Sequence, residues 1–228
     1  FIGLLGHTTE PKSEPSLAAY AHVHAATHDH AVEIVVHPEQ RGAEHSWRRA
    51  LLSASIGEIR RTSGGQVRYW CAKATDREEA DARSLGFRRE RDLLQMRVEL
   101  PIPRDERARA TVPVRSFRPG HDERAWLDVN NRAFATHSEQ GDWDLETLRQ
   151  REHEDWFDPK GFRVHEEDGK LVASCWTKVH ADRSPPLGEI YVIGVDPSYH
   201  GRGLGRALTL AGFDWLAGIG IRHGMLYV

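Results

Sequence analysis

The chain has 228 residues, with 31 Lys+Arg against 34 Asp+Glu, a formal net charge of −3 and 39% apolar residues. This length allows one large domain or two small ones, and the near balance of charge argues against a nucleic-acid-binding surface. Cys71 and Cys175 form neither a disulfide framework nor a CxxC pair, and no apolar run approaches the roughly 20 residues of a membrane span; the composition reads as that of a cytoplasmic protein without signal peptide or membrane partner.

In chain order, residues 1–5 (F-I-G-L-L) read as a strand, 10–15 as a proline-bearing turn and 16–24 as a second strand. Residues 31–36 form a third, β-branched strand closing on His37-Pro38, and 46–59 carry the apolar spacing of a helix. A strand at 67–72, a helix at 77–85, Leu85-Gly86-Phe87 and a strand at 93–98 complete a first domain, 1–100. Residues 101–111, with Pro101, Pro103 and alternating charges, read as a linker. The second domain, 112–228, opens with a strand at 112–117, helices at 122–134 and 144–156, and a hairpin at 163–180 turning at Asp168-Gly169. The chain begins without Met inside one apparent strand and stops at Met225-Leu226-Tyr227-Val228 inside another, so it reads as a fragment of a longer protein.

Residues 188–217 carry the strongest local signal. Residues 189–195 are rich in β-branched residues and end at Asp196-Pro197, and Leu208, Leu210, Ala211, Trp215 and Leu216 recur at helical spacing. Between strand and helix lies His200-Gly201-Arg202-Gly203-Leu204-Gly205, followed by Arg206. Glycines at alternate positions let backbone approach a ligand, and first-turn N–H groups with the positive end of the helix dipole suit a phosphate. No Gly-Lys-Ser/Thr follows, as a P-loop requires, and the spacing is not G-x-G-x-x-G. Val36-His37-Pro38 matches Val195-Asp196-Pro197 at an offset of 159 residues, which argues for an internal duplication. In the first copy Glu44 and Ser46 stand where Gly203 and Gly205 stand in the second, and a glutamate repels a phosphate.

The order strand, V-D-P turn, glycines, arginines and helix resembles the acetyl-CoA signature of the GCN5-related N-acetyltransferases. The segments V-N-N-R-A-F (129–134), H-S-E-Q-G-D-W (137–143), W-F-D-P (156–159), W-T-K-V-H (176–180) and L-Q-M-R (94–97) resemble the mycothiol synthases, an actinobacterial branch of that family. The resemblance implies an α/β fold of two tandem acetyltransferase domains, each a mixed central sheet flanked by helices, with catalysis in the second. It implies transfer of acetyl from acetyl-CoA to the cysteinyl amine of a cysteinyl-glucosaminyl-inositol precursor, a small-molecule substrate, by a monomer using no metal.

An ammonium must lose a proton before it attacks a thioester, and a carboxylate can take it; Glu189 matches the family's carboxylate. Backbone N–H groups around Ile193, Gly194 and Val195 can serve the carbonyl oxygen, and Gly194 inside a strand suggests a bulge or a close approach. By resemblance, His200, Gly201, Arg202, Gly203, Leu204, Gly205 and Arg206 hold CoA, and Glu139, Lys178, Glu189 and Tyr227 contact the substrate. A tyrosine acid for the leaving thiolate would lie past Val228. Ile34, Val35 and Val36 match a vestigial N-terminal CoA site and are expected to pack instead. His22, His24, His28, His30 and His37 read as a solvent-facing edge rather than a metal site, and Trp126, Trp143, Trp156 and Trp176 as core. Two alternatives stay open: an acetyltransferase for another small amine, and a non-catalytic CoA-binding module.

Overall fold

β-branched and aromatic runs broken by proline and glycine turns build two units, Phe1–Arg91 and Asp92–Val228. The computed structural model describes residues 2–6, 16–25, 29–71, 74–103, 112–135 and 141–228, with backbone alone for 2–6, 16 and 25.

The first unit has a four-stranded sheet, β1 (Ile2–Gly6), β2 (Ser16–Ala25), β3 (Asp29–Val36) and β4 (Gln66–Tyr69), in that order. The first two pairings are antiparallel and β3–β4 is parallel, across helix α1 (Glu44–Thr62). Leu51, Leu52, Ile56 and Ile59 recur on one face of α1 and bury against Ala19, Ala21, Val32 and Ile34. Helix α2 (Asp76–Ser84) starts in a capping box between Thr75 and Glu78. It ends where Gly86, at φ +93°, lets Phe87 fold back to donate to the Ala82 carbonyl.

The second unit has six strands in the order β5-β10-β9-β8-β7-β6: β5 (Gln95–Glu99), β6 (Arg115–Ser116), β7 (Phe162–Glu167), β8 (Lys170–His180), β9 (Leu187–Val195) and β10 (His223–Tyr227). Its β7-β8-β9-β10 core repeats the first unit's topology: two antiparallel pairings, then a parallel one across a helix, α5 (Leu204–Gly218). Helices α3 (Glu123–Ala133) and α4 (Leu145–Glu152) complete the unit. On one sheet face α5 comes close because Gly212 lies against Cys175 and Ile190, and Gly188 of β9 admits Leu216. The opposite face carries the aromatic core, where Trp176 stacks on Phe162 at 4.4 Å and Trp126 meets Trp176 edge-on at 5.9 Å. Burial pushes the Cys175 thiol up to about 12, so it stays an inert core residue.

Two boundaries differ from the sequence reading. The strand expected to close the first domain is β5, and it pairs antiparallel with β10 in the second sheet, so the break falls between Arg91 and Asp92 rather than after residue 100. Its alternating pattern announces a strand, whereas its sheet is decided by a pairing with residues far along the chain. The strand expected at 112–117 contracts to Arg115–Ser116, the residues in register with Val164 and Arg163 of β7, and Phe117 N adds one bond to the Phe162 carbonyl. Of the expected linker, residues 104–111 lie outside the described residues.

Candidate active site

The site grows from a parting of two strands. Parallel pairing of β9 with β10 runs through Leu187↔His223, Gly188↔Gly224 and Glu189↔Met225 and stops there, so residues 190–195 of β9 pair with β8 alone. Glu189 therefore stands where the sheet opens, 9% exposed. On the β8 side the register gives Lys178↔Glu189 and then jumps from Thr177↔Ile190 to Trp176↔Val192, which leaves Tyr191 as an extra residue, a β-bulge. The bulge thus falls at Tyr191 and not at Gly194. Gly194 instead faces α3, where a Cβ would lie 3.6 Å from Ala133 and Phe134.

Period-two alternation brings Lys178 and Glu189 to one face as register partners, and Tyr227, two residues past Met225, to the same face across the opening. The Lys178 ammonium lies over the rings of Trp156 at 4.3 Å and Tyr191 at 5.5 Å and makes no ion pair with Glu189. Trp156 packs on the core against Trp176, as expected, and also lies under the Lys178 ammonium. The Tyr227 hydroxyl accepts from Gln95 Nε2 at 2.7 Å and its side chain is 44% exposed. Glu189 Oε2 is 2.7 Å from His180 Nε2, a neighbour that sequence reasoning quoted in W-T-K-V-H without a role. Glu139 lies outside the described residues.

The glycine loop has the geometry a phosphate needs. Asp196 accepts from Ser198 N at 2.9 Å and from Arg132 at 2.6 Å, fixing the turn that leaves β9. Burial raises its carboxyl, and the Ser198 and Arg132 contacts outweigh that and hold it below the usual range. Gly201 and Gly203 have φ of +77° and +78° with nothing within 4 Å of a Cβ, and Gly203 begins α5 with no side chain bonding its first-turn N–H groups. The first helical bond is Ala207 N to Gly203 O, which leaves the amides of Leu204, Gly205 and Arg206 available. Arg206 is exposed and makes no ion pair with a described residue. Arg202 is held by Glu167 at 2.9 Å, over the Tyr199 ring. His200 Nε2 lies 3.1 Å from the Val195 carbonyl, so it ties the loop to the strand end. Ile193 packs into the α5 core with Val195.

In the first unit the corresponding turn, residues 38–43, is capped by His37 Nδ1 as Asp196 caps its own turn. At its helix start Glu44 takes the Arg48 guanidinium at 2.7 Å, and Arg48 reaches the Ile34 carbonyl at 3.3 Å. Ile34 and Val36 pack in the core while Val35 is 48% exposed. The histidines do not form one solvent-facing edge. His30 is buried, bonded to Gly64 O at 2.9 Å and Ser63 Oγ at 3.1 Å, because β3 turns it inward. The His22 and His24 rings lie 4.0 Å apart, tilted by 54°, beside Glu33, close enough for these three to hold a cation, and His28 lies outside the described residues. A separate polar cavity of about 410 Å³ lies beside α3, and its Arg115, Arg118, Asp122 and Glu166 neutralise one another.

Residues 124–228 match the model of the acetyltransferase (GNAT) family. A mycothiol acetyltransferase of Acidimicrobium ferrooxidans is 46% identical over 221 residues, 94% of this chain and 71% of that protein. One of Thermomonospora curvata is 47% identical over 93% of this chain and 70% of its own. A GCN5-related N-acetyltransferase structure from Sphaerobacter thermophilus covers 93% of the chain and 68% of its own at TM-score 0.71 and 23% identity. A tandem GNAT protein of the clavulanic acid biosynthesis pathway covers 95% and 72% at TM-score 0.58 and 17% identity. Both structural likenesses concern the fold. Among the described residues, no helix is long and apolar enough to cross a membrane.

Proposed function

Because the chain belongs to the mycothiol acetyltransferase family of GCN5-related N-acetyltransferases, we propose that it moves the acetyl group of acetyl-CoA to the cysteinyl amine of a cysteinyl-glucosaminyl-inositol. It is an acetyl-CoA-dependent N-acetyltransferase of mycothiol biosynthesis. The two units act as tandem acetyltransferase-like domains, the second catalytic, in a cytoplasmic monomer.

The observation that carries the site assignment is the parting of β9 from β10 at Glu189, with the phosphate-ready loop at the far end of the same strand. CoA pyrophosphate lies on Gly201, Gly203 and the amides of residues 204–206, with Arg206 beside it. The pantetheine then runs along the unpaired edge of residues 190–195, and backbone N–H groups of that edge polarise the thioester carbonyl. Glu189 takes a proton from the substrate ammonium, and the free amine attacks the carbonyl to form the C–N bond. The tetrahedral intermediate collapses with cleavage of the C–S bond, CoA leaving as the thiolate and taking up a proton to end as the free thiol. Lys178, Tyr227 and Glu139 bind the hydroxyl-rich sugar and inositol. In the first unit the Glu44–Arg48 pair fills the helix start, and no CoA phosphate is held there.

The test offers the full-length protein acetyl-CoA with three amines: the cysteinyl-glucosaminyl-inositol, the glucosaminyl-inositol lacking cysteine, and unrelated amines. Release of CoA thiol with the first alone is expected. Release with unrelated amines only would move the function to another amine, and tight acetyl-CoA binding without release would reduce the protein to a CoA-binding module.

A further inference from the structure

We propose that His180 is a positioning residue for Glu189: its imidazole fixes one carboxylate oxygen and so commits the other to proton transfer. This rests on the reading of Glu189 as the base.

The two residues are brought together by register. Lys178 is paired with Glu189 and His180 with Leu187, so His180 lies two residues along β8 from the direct partner of Glu189 and on the same face. That is the diagonal position from which a long side chain reaches. It reaches: Nε2 stands 2.7 Å from Glu189 Oε2, in the range of a charge-assisted hydrogen bond. An ionised carboxylate only accepts, so the imidazole donates its Nε2–H. Oε1 makes no hydrogen bond to any described residue and is left to receive the ammonium proton.

The choice of partner matters chemically. Lys178 sits directly across from Glu189, yet its ammonium is drawn off over Trp156 and Tyr191. A fixed cation against the carboxylate would favour its ionised form and weaken it as a base. The imidazole of His180 instead supplies a directional donor, so the carboxylate is held in one orientation. Precise placement of a catalytic group is where such a contact acts on rate. His180 is not itself in the path of the proton: the ammonium N–H bond breaks, the Oε1–H bond forms, and the Nε2–H bond to Oε2 stays in place.

The experiment measures kcat and the acetyl-CoA KM of the full-length enzyme carrying His180→Phe, His180→Gln, Glu189→Gln, and His180→Phe with Glu189→Gln. Melting temperature is followed in each. His180→Phe keeps ring bulk and removes the donor; kcat is expected to fall about 10- to 100-fold, part of the total contribution of a general base, with the acetyl-CoA KM unchanged. His180→Gln places an amide N–H near the same point and should return kcat to within about threefold of wild type. On the Glu189→Gln background, His180→Phe should cost nothing further, because a residue acting through another is not additive with it. Wild-type kcat in His180→Phe, no recovery in His180→Gln, or an equal further loss on the Glu189→Gln background would each overturn the assignment while leaving Glu189 as base. A Glu189→Gln enzyme at wild-type rate would overturn the reading of the base, and the role of His180 with it.

Discussion

Replacing Gly203 by alanine tests whether the loop before α5 is a phosphate cradle or only a turn. The residue sits at φ +78°, and a Cβ there would meet nothing within 4 Å, so the fold pays only the left-handed conformation of a side-chain-bearing residue. That strain is about 1–2 kcal/mol, which corresponds to a melting temperature lower by about 2–8 °C in a chain of this size. The same empty space is where backbone would meet pyrophosphate, so a methyl group there displaces the ligand. We expect acetyl-CoA to bind at least about tenfold more weakly, or about 1.4 kcal/mol. Two controls separate these effects. Gly203→Asn tolerates the left-handed region better, so it should melt nearer wild type and still bind weakly. Gly120, at φ +84° and equally open, lies in the turn before α3; Gly120→Ala should lower the melting temperature and leave acetyl-CoA binding alone. The assay is thermal denaturation with calorimetric titration of acetyl-CoA. A Gly203→Ala protein that melts lower yet binds acetyl-CoA with unchanged Kd would refute the cradle.

Gly212→Ala should destabilise despite a helix-propensity gain of about 1 kcal/mol, since its Cβ would lie 2.6 Å from Cys175 Sγ and 2.8 Å from Ile190 Cδ1, an overpacking of about 1–3 kcal/mol. Adding Cys175→Ala should return part of the loss, whereas Gly57→Ala, on an open face of α1, should stabilise; melting curves decide both. The Asp196 carboxyl, raised by burial but held lower overall by Ser198 and Arg132, is more acidic folded than unfolded. Its contribution is therefore present above the unfolded-state value and is lost as pH falls through the folded one. Denaturant midpoints between pH 5 and pH 2.5 should fall more steeply in wild type than in Asp196→Asn.

The parts of the site carried by local sequence were legible, and those carried by register were not. The β-branched run into Asp196-Pro197 and the glycines at 201, 203 and 205 dictate strand, turn and helix start by themselves, and β9 and α5 appear there. Glu189 could be placed on that strand. That the sheet opens beside it depends on where β10 stops pairing, which no local pattern states. The bulge at Tyr191 is a mismatch between counts on two strands, so a glycine was a poor guide to it. His180 and Glu189 lie on either side of the turn at 181–186, and their contact exists only in one register of β8 against β9. β5 shows the same limit at larger scale: its residues specify a strand, and its partner lies in residues 223–227.

The most direct measurement is the single-turnover acetylation of the cysteinyl amine by the full-length enzyme and its Glu189→Gln variant, with acetyl-CoA saturating. Glu189 as the base predicts a rate lower by about 100-fold or more, with the Kd for acetyl-CoA unchanged because the phosphate loop lies at the other end of β9. An unchanged rate in the variant would contradict the account at its centre.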